Sequence, residues 1–264
     1  MRLCLFALMM GCACRPNAPR VDLAGLPEPE ALVETLRTQS EARRNLRAQG
    51  RVTAFGPEGR VRLKTVLLAE RPGSFRVETL TPFEQPVDVM ACDGARIWLL
   101  REGRLFAGPA TPANVARLLP LPLRPDEIVE TLLGGVPVPD GFTPTRIGVE
   151  DDRWRLELEG PRGEQGVLRI RPEGPRVDRA QWLDVDGTLQ VQVEFDDFEK
   201  AEDGGPPYPK SIRVEVPPSD TKVEIRLRDA ETDVSLAGAL FFIEPPPGQV
   251  PEPLGAQPAA PATP

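Results

Sequence analysis

The chain has 264 residues, 40% of them hydrophobic, with 32 Lys plus Arg against 40 Asp plus Glu and a formal net charge of −8. That length suffices for one buried core, and the acidic balance argues against a nucleic-acid surface. Histidine is absent, which removes the usual general base, the His-dependent triads and the commonest metal ligand. No Walker loop, GxGxxG, GxSxG, HExxH or EF-hand loop occurs, so the chain is not expected to be an enzyme or to hold a cofactor or metal.

The N-terminus reads as an address. Met1-Arg2 is a minimal positive segment, Leu3 to Met10 a short apolar core, and Gly11 a small residue before Cys12. The run is too short to span a bilayer, and polar, Pro-containing sequence follows it directly. Met9-Met10-Gly11-Cys12 resembles the lipobox of bacterial lipoproteins, which implies removal of residues 1–11 and acylation of Cys12, with Cys14 as the competing acceptor. Two or more acyl chains, palmitate among them, would make a stable anchor, since one chain alone binds only marginally. Residues 12–29, with Pro16, Pro19, Pro27 and Pro29, read as a linker between lipid and domain.

The domain is expected over residues 30–244. Glu30 to Arg44 is the first helix candidate, with Leu32, Val33 and Leu36 on one side. The period then changes to two. Trp154, Leu156 and Leu158 alternate with Arg153, Arg155 and Glu157, and the pattern recurs in Leu189 to Phe195, Ser211 to Val216 and Lys222 to Leu227. Turn signals such as Asp93-Gly94, Glu102-Gly103 and Asp151-Asp152 separate the runs and favour an antiparallel meander. One dry face and one wet face over so many strands require curling, hence a barrel or half-barrel.

Two short helices interrupt the meander. The first starts at Thr111-Pro112, carries Val115, Leu118 and Leu119, and stops at Pro120 and Pro122. The second runs from about Pro125 to Leu133, with Asp126 and Glu127 in its first turn and Gly134-Gly135 as its stop. They either plug the barrel mouth or cover a sheet edge. From Pro245 to Pro264 a Pro- and Ala-rich tail reads as disordered. Cys92, beside Asp93-Gly94, reads as a small buried hydrophobe, and Glu194, Asp196, Asp197 and Glu199 as solvated carboxylates.

Arg71-Pro72-Gly73-Ser74-Phe75-Arg76, then Asp93-Gly94 with Trp98, then Phe241 to Gly248 are similar, in order, to the envelope lipoprotein carriers. These are the periplasmic chaperone and outer-membrane receptor of lipoprotein sorting, LolA and LolB. The resemblance spans about Leu46 to Leu254. It implies a mainly β fold: a half-open, curved antiparallel barrel with short helices as a lid, around a cavity that accepts acyl chains. The expected wall is Leu63, Phe75, Val77, Leu99, Trp154 and Leu156, and the expected lid Leu118, Leu119, Ile128 and Leu132. The family's rim arginine maps to Arg71. The receptor's projecting apolar loop falls at Thr79 to Gln85, where Leu80 and Phe83 are apolar and Glu84 is charged. A lipid-anchored monomer on the outer membrane, facing the periplasm and holding lipoprotein or lipid acyl chains, is the expectation. A structural lipoprotein whose barrel is filled by its own side chains is the alternative.

Overall fold

The computed structural model describes residues 25–254 apart from 58, 120, 122, 201–204 and 246. The expected signal, Cys12 and residues 255–264 lie outside the described residues. Helix α1, Pro29–Glu41, is followed by strands β1 Asn45–Gly56, β2 Gly59–Glu70, β3 Ser74–Leu80, β4 Pro86–Asp93, β5 Arg96–Arg101 and β6 Arg104–Pro109. Helices α2, Pro112–Leu118, and α3, Pro125–Leu132, come next. Strands β7 Thr143–Glu150, β8 Arg153–Glu159, β9 Gln165–Arg171, β10 Arg176–Leu183, β11 Leu189–Glu199, β12 Tyr208–Val216 and β13 Thr221–Thr232 complete the meander, and β14, Glu252–Pro253, ends it.

The turns follow from the residues at them. Glu102-Gly103 and Asp151-Asp152 have positive φ at both positions, the conformation of a two-residue hairpin whose twist matches its strands. At Asp93-Gly94 the Asp93 carboxylate accepts from the Ala95 and Arg96 amides at 2.9 and 2.7 Å.

All strands form one sheet in the order β14-β6-β5-β4-β3-β2-β1-β13-β12-β11-β10-β9-β8-β7. Neighbours are antiparallel except β14, which runs parallel to β6. The first and last long strands therefore meet at the sheet centre, while β7 and β14 remain apart as edges, so the barrel is not closed. Where β1 meets β13 the register shifts between Ala48 and Gly50. A Cβ at Gly50 would lie 2.6 Å from the Arg226 carbonyl oxygen, so only glycine lets the strands approach so closely there.

The dry face is divided into two apolar clusters. The larger joins β1–β6 and β11–β13 to α2 and α3, through Leu46, Phe75, Leu99, Phe106, Val115, Ile128, Val129, Leu132, Phe195 and Ile212. The smaller joins β8–β10 to α1, through Leu32, Leu156, Leu158, Leu168, Ile170, Ala180 and Trp182. Helices α2 and α3 thus plug the concave side, and Thr111 caps α2 by accepting from the Asn114 amide at 3.3 Å.

Two expected boundaries move. Helix α1 ends at Glu41 rather than Arg44, because Arg43 and Arg44 are drawn into tertiary bonds; the Arg44 amide donates to Asp233 at 2.8 Å. The C-terminal segment, read as unstructured from Pro245, is docked as far as Leu254. Its prolines suit an extended edge segment, and apolar residues on either side anchor it. Ile243 joins Trp98 and Leu105 on the outer face of β4–β6, Phe242 stacks edge-on against Trp98 at 5.0 Å, and Leu254 enters the large core. The Leu254 amide donates to the Ala107 carbonyl at 3.1 Å, covering the β6 edge.

Candidate ligand cavity

A cavity of about 760 Å³ opens where the two apolar clusters meet, between α1, the segment after α3 and the strand ends of β8–β10. This volume lies within the range of roughly 300–1,000 Å³ typical of small-molecule sites. Its apolar wall includes Val33 and Leu36 of α1, Val136 and Phe142 from the segment between α3 and β7, and Leu158, Leu168 and Val177 of the sheet. Leu32, 2% exposed, anchors α1 to the sheet. Val33 and Leu36, only half-buried, face the space beside it. Phe142 is held edge-on against Trp182 at 5.3 Å, and Gly166 leaves room for that Trp ring.

One end of the cavity is polar and tightly braced. Glu130 of α3 accepts from the Ser40 hydroxyl with one carboxylate oxygen and from Arg71 Nη1 with the other. Arg71 also donates from Nη2 to the Ser40 hydroxyl and carbonyl at 2.8 and 3.1 Å, and from Nε to the Arg43 carbonyl at 2.9 Å. The bracket ties α1 to α3 and to the β2–β3 turn. Gly135 is required beside it, since a Cβ there would collide with Glu130 and Ser40. Behind it Arg43, 7% exposed, donates to the Leu133, Pro206 and Pro207 carbonyls at 3.1, 2.8 and 2.7 Å. Burial lowers the pKa of this guanidinium. Tyr208 donates to the Leu132 carbonyl at 2.6 Å beneath it, and burial drives its phenol well above the ordinary value.

At the mouth, Arg124 faces Asp126, Glu127 and Asp140 at 3.1, 3.5 and 3.5 Å. Ser40, Arg43, Arg71, Glu130 and Tyr208 at the braced end are all engaged with other protein groups, so the arrangement holds helices in place around an apolar space. Among the described residues no group of three or more Cys, Asp or Glu side chains is placed to hold a metal ion.

Of the expected site residues, Arg71 lines this cavity and sits in the bracket. The expected wall does not converge on it. Phe75 and Leu99, 0% and 1% exposed, are inside the large core; Val77 packs against that core; Leu156, 0% exposed, and half-buried Trp154 belong to the smaller one. Leu63 is half-buried on the concave face of β2. The expected lid packs into the large core, with Ile128 and Leu132 buried and Leu118 and Leu119 partly so. Helices α2 and α3 fill the half of the barrel where a cavity was expected, and space remains where α1 alone covers the sheet. The residues missed were Ser40, Arg43, Glu130 and the stretch from Val136 to Phe142. Their available signals were the apolar stripe of α1 and the Gly134-Gly135 pair.

Thr79 to Gln85, where the receptor's apolar loop would fall, form the end of β3 and the β3–β4 turn. Phe83 is 87% exposed at its tip. Thr81 holds the turn, accepting from the Phe83 and Gln85 amides at 3.2 and 3.1 Å, and Lys64 pairs with Glu84.

No family model matches the chain, and no curated protein matches it in sequence. Solved structures do match. A DUF1329 family protein from Desulfovibrio piger aligns with a TM-score of 0.59 at 15% identity, over 82% of this chain and 98% of that one. A LolA superfamily protein from Nitrosomonas europaea aligns with 0.57 at 14% identity, over 83% and 99%. A putative outer membrane lipoprotein-sorting protein domain from Vibrio parahaemolyticus aligns with 0.57 at 11% identity, over 81% and 97%. The fold is therefore the LolA-like curved, unclosed antiparallel sheet with short helices on its concave side.

Proposed function

We propose that this chain is a non-catalytic envelope lipoprotein, anchored through Cys12 to the outer membrane on its periplasmic side, whose cavity shelters an acyl chain of a lipid or lipoprotein. The observation that carries this reading is the 760 Å³ cavity with an apolar wall and one braced polar end. An apolar chain entering it gains ~25 cal/mol for each Å² covered, and no reactive group is needed. The likeness in fold to lipoprotein-sorting proteins supports the same reading, as does the exposed Phe83 at the turn where the receptor carries its projecting loop. On this reading Arg71 holds α1 closed through Glu130 and Ser40.

A second reading, a structural lipoprotein with a self-filled barrel, is favoured by the larger cluster, where Phe75, Leu99 and Phe106 are packed against α2 and α3. Native mass spectrometry of protein purified from its own membrane separates the two. The first reading expects an acylated N-terminus and a second, noncovalent lipid or acyl mass. An acylated protein that carries no cargo and displaces no fluorescent fatty acid would leave the self-filled barrel.

A further inference from the structure

The outer face of the sheet centre carries a second feature, independent of the cavity. Cross-strand register places Leu80, Lys64, Arg51, Arg226 and Ser211 in one row over β3, β2, β1, β13 and β12. Three of these five are cations on adjacent strands, and Arg62 lies diagonally beside Arg51. Like charges directly opposed in a sheet are destabilising. The adjacent row shows how this chain otherwise arranges outer charges. There Glu194 receives Arg179 and Arg213, both at 2.7 Å, and Glu224 receives Arg213 at 3.4 Å. By contrast Arg51, Arg62 and Arg226 are exposed and have no acidic partner among the described residues; the acids beside them are Glu84, paired with Lys64, and Glu224, paired with Arg213 and Lys222.

We propose that this face of β2, β1 and β13 is a docking surface for an anionic phospholipid bilayer. Charge complementarity favours that occupant. Exposed guanidinium groups are weakly hydrated forks suited to phosphate oxygens, and cations spread over three adjacent strands suit several headgroups better than one compact ligand. The row also ends at Leu80, the last residue before the turn that carries exposed Phe83, and the next residue of that turn, Glu84, pairs with Lys64 of the row, so a solvent-exposed aromatic lies beside the cations. With a net charge of −8, the chain as a whole is repelled by such a surface, and a local cationic row would fix which side approaches.

The test is vesicle co-sedimentation of the full chain carrying Cys12→Ser and Cys14→Ser, so that acylation plays no part. Vesicles of phosphatidylcholine alone are compared with vesicles containing phosphatidylglycerol. Each cation near an anionic surface contributes roughly fivefold to partitioning, so Arg51→Ser with Arg226→Ser should lower binding to the anionic vesicles by about twentyfold. Added salt should weaken wild-type binding. Arg213→Ser, from the paired row, should change it by less than about threefold. Thermal melting of the double variant should match wild type or exceed it, since opposed like charges are removed. Wild-type binding no stronger to anionic than to neutral vesicles would overturn the proposal. So would a double variant, still folded, that binds the anionic vesicles as well as wild type does.

Discussion

A carboxylate placed at two apolar positions distinguishes solid core from wettable cavity. Phe75 is 0% exposed within the large cluster, packed near residues of α3, while Val33 is half-buried and lines the cavity. Phe75→Asp removes a buried ring, worth ~3–5 kcal/mol, and leaves a group whose burial without a partner costs a few more. A total above ~5 kcal/mol is comparable to the whole stability of a domain. At roughly 2–4 °C per kcal/mol for a domain of this size, melting should fall by at least ~10–20 °C, or folding should fail. Val33→Asp loses only part of an aliphatic contact, about 1 kcal/mol, and the new charge stands one turn before Arg37. Its melting should fall by only ~2–4 °C. Its affinity for a fluorescent fatty acid should drop tenfold or more, since an alkyl chain would desolvate the carboxylate. Melting by circular dichroism and fatty-acid displacement on both variants make the test. Full fatty-acid affinity in Val33→Asp would refute the cavity as the binding site, and equal destabilisation by the two substitutions would refute the division into solid and open halves.

Three further outcomes are expected. Gly135→Ala should loosen the bracket by pushing Glu130 and Ser40 apart, lowering stability by ~1–3 kcal/mol, read by thermal melting. The thiol of Cys92, buried in the large core, is pushed up to about 11 by desolvation. The folded protein holds that proton more tightly than the unfolded chain. Its contribution is therefore complete below the ordinary value of 9.0 and is lost as pH rises from there through about 11, a slope that Cys92→Ser should remove from urea-melt data. Cys12→Ser should move the protein from the membrane to the soluble fraction; an unprocessed Met1 with no acyl mass on Cys12 in the native protein would contradict the anchor.

Local signals made the elements legible. Period-two alternation located β8, β11, β12 and β13, Thr111-Pro112 located α2, and Asp126, Glu127 and Gly134 bounded α3. Gly94, Gly103, Asp151 and Asp152 fell at the left-handed turn positions their chemistry suits. The cavity was not legible, for a physical reason. Alternation tells that Phe75 and Leu156 leave water, but not what covers them, and here α3 covers one while α1 reaches over the other. The bracket was hidden for a related reason. Arg71, Glu130 and Ser40 are each ordinary surface residues by local pattern, and only the packing of α1 beside α3 brings them within hydrogen-bonding distance. The docked C-terminus shows composition outweighed by an anchor, Leu254, which a Pro-rich average conceals, with Ile243 fixing the chain just before the tail.

The division of the core also decides which helix opens. Displacing α2 and α3 would uncover Val115, Ile128, Val129 and Leu132, all buried, and would strip the cover from the large cluster. At ~1.5–3 kcal/mol for each fully buried side chain, that motion costs about 6–12 kcal/mol, close to unfolding the domain. Displacing α1 uncovers fully buried Leu32 and the half-buried Val33 and Leu36, about 3–6 kcal/mol on the same scale, together with the bonds of Ser40. Helix α1 is therefore the cheaper element to move, and it stands directly over the open space. In native-state hydrogen exchange, the α1 amides should open at lower free energy than those of α3 and the β1–β13 pair, and Glu130→Gln should lower protection in α1 more than in α3. If α1 and α3 instead exchange only with global unfolding in both proteins, the helix is a fixed part of the core and entry to the cavity needs another route.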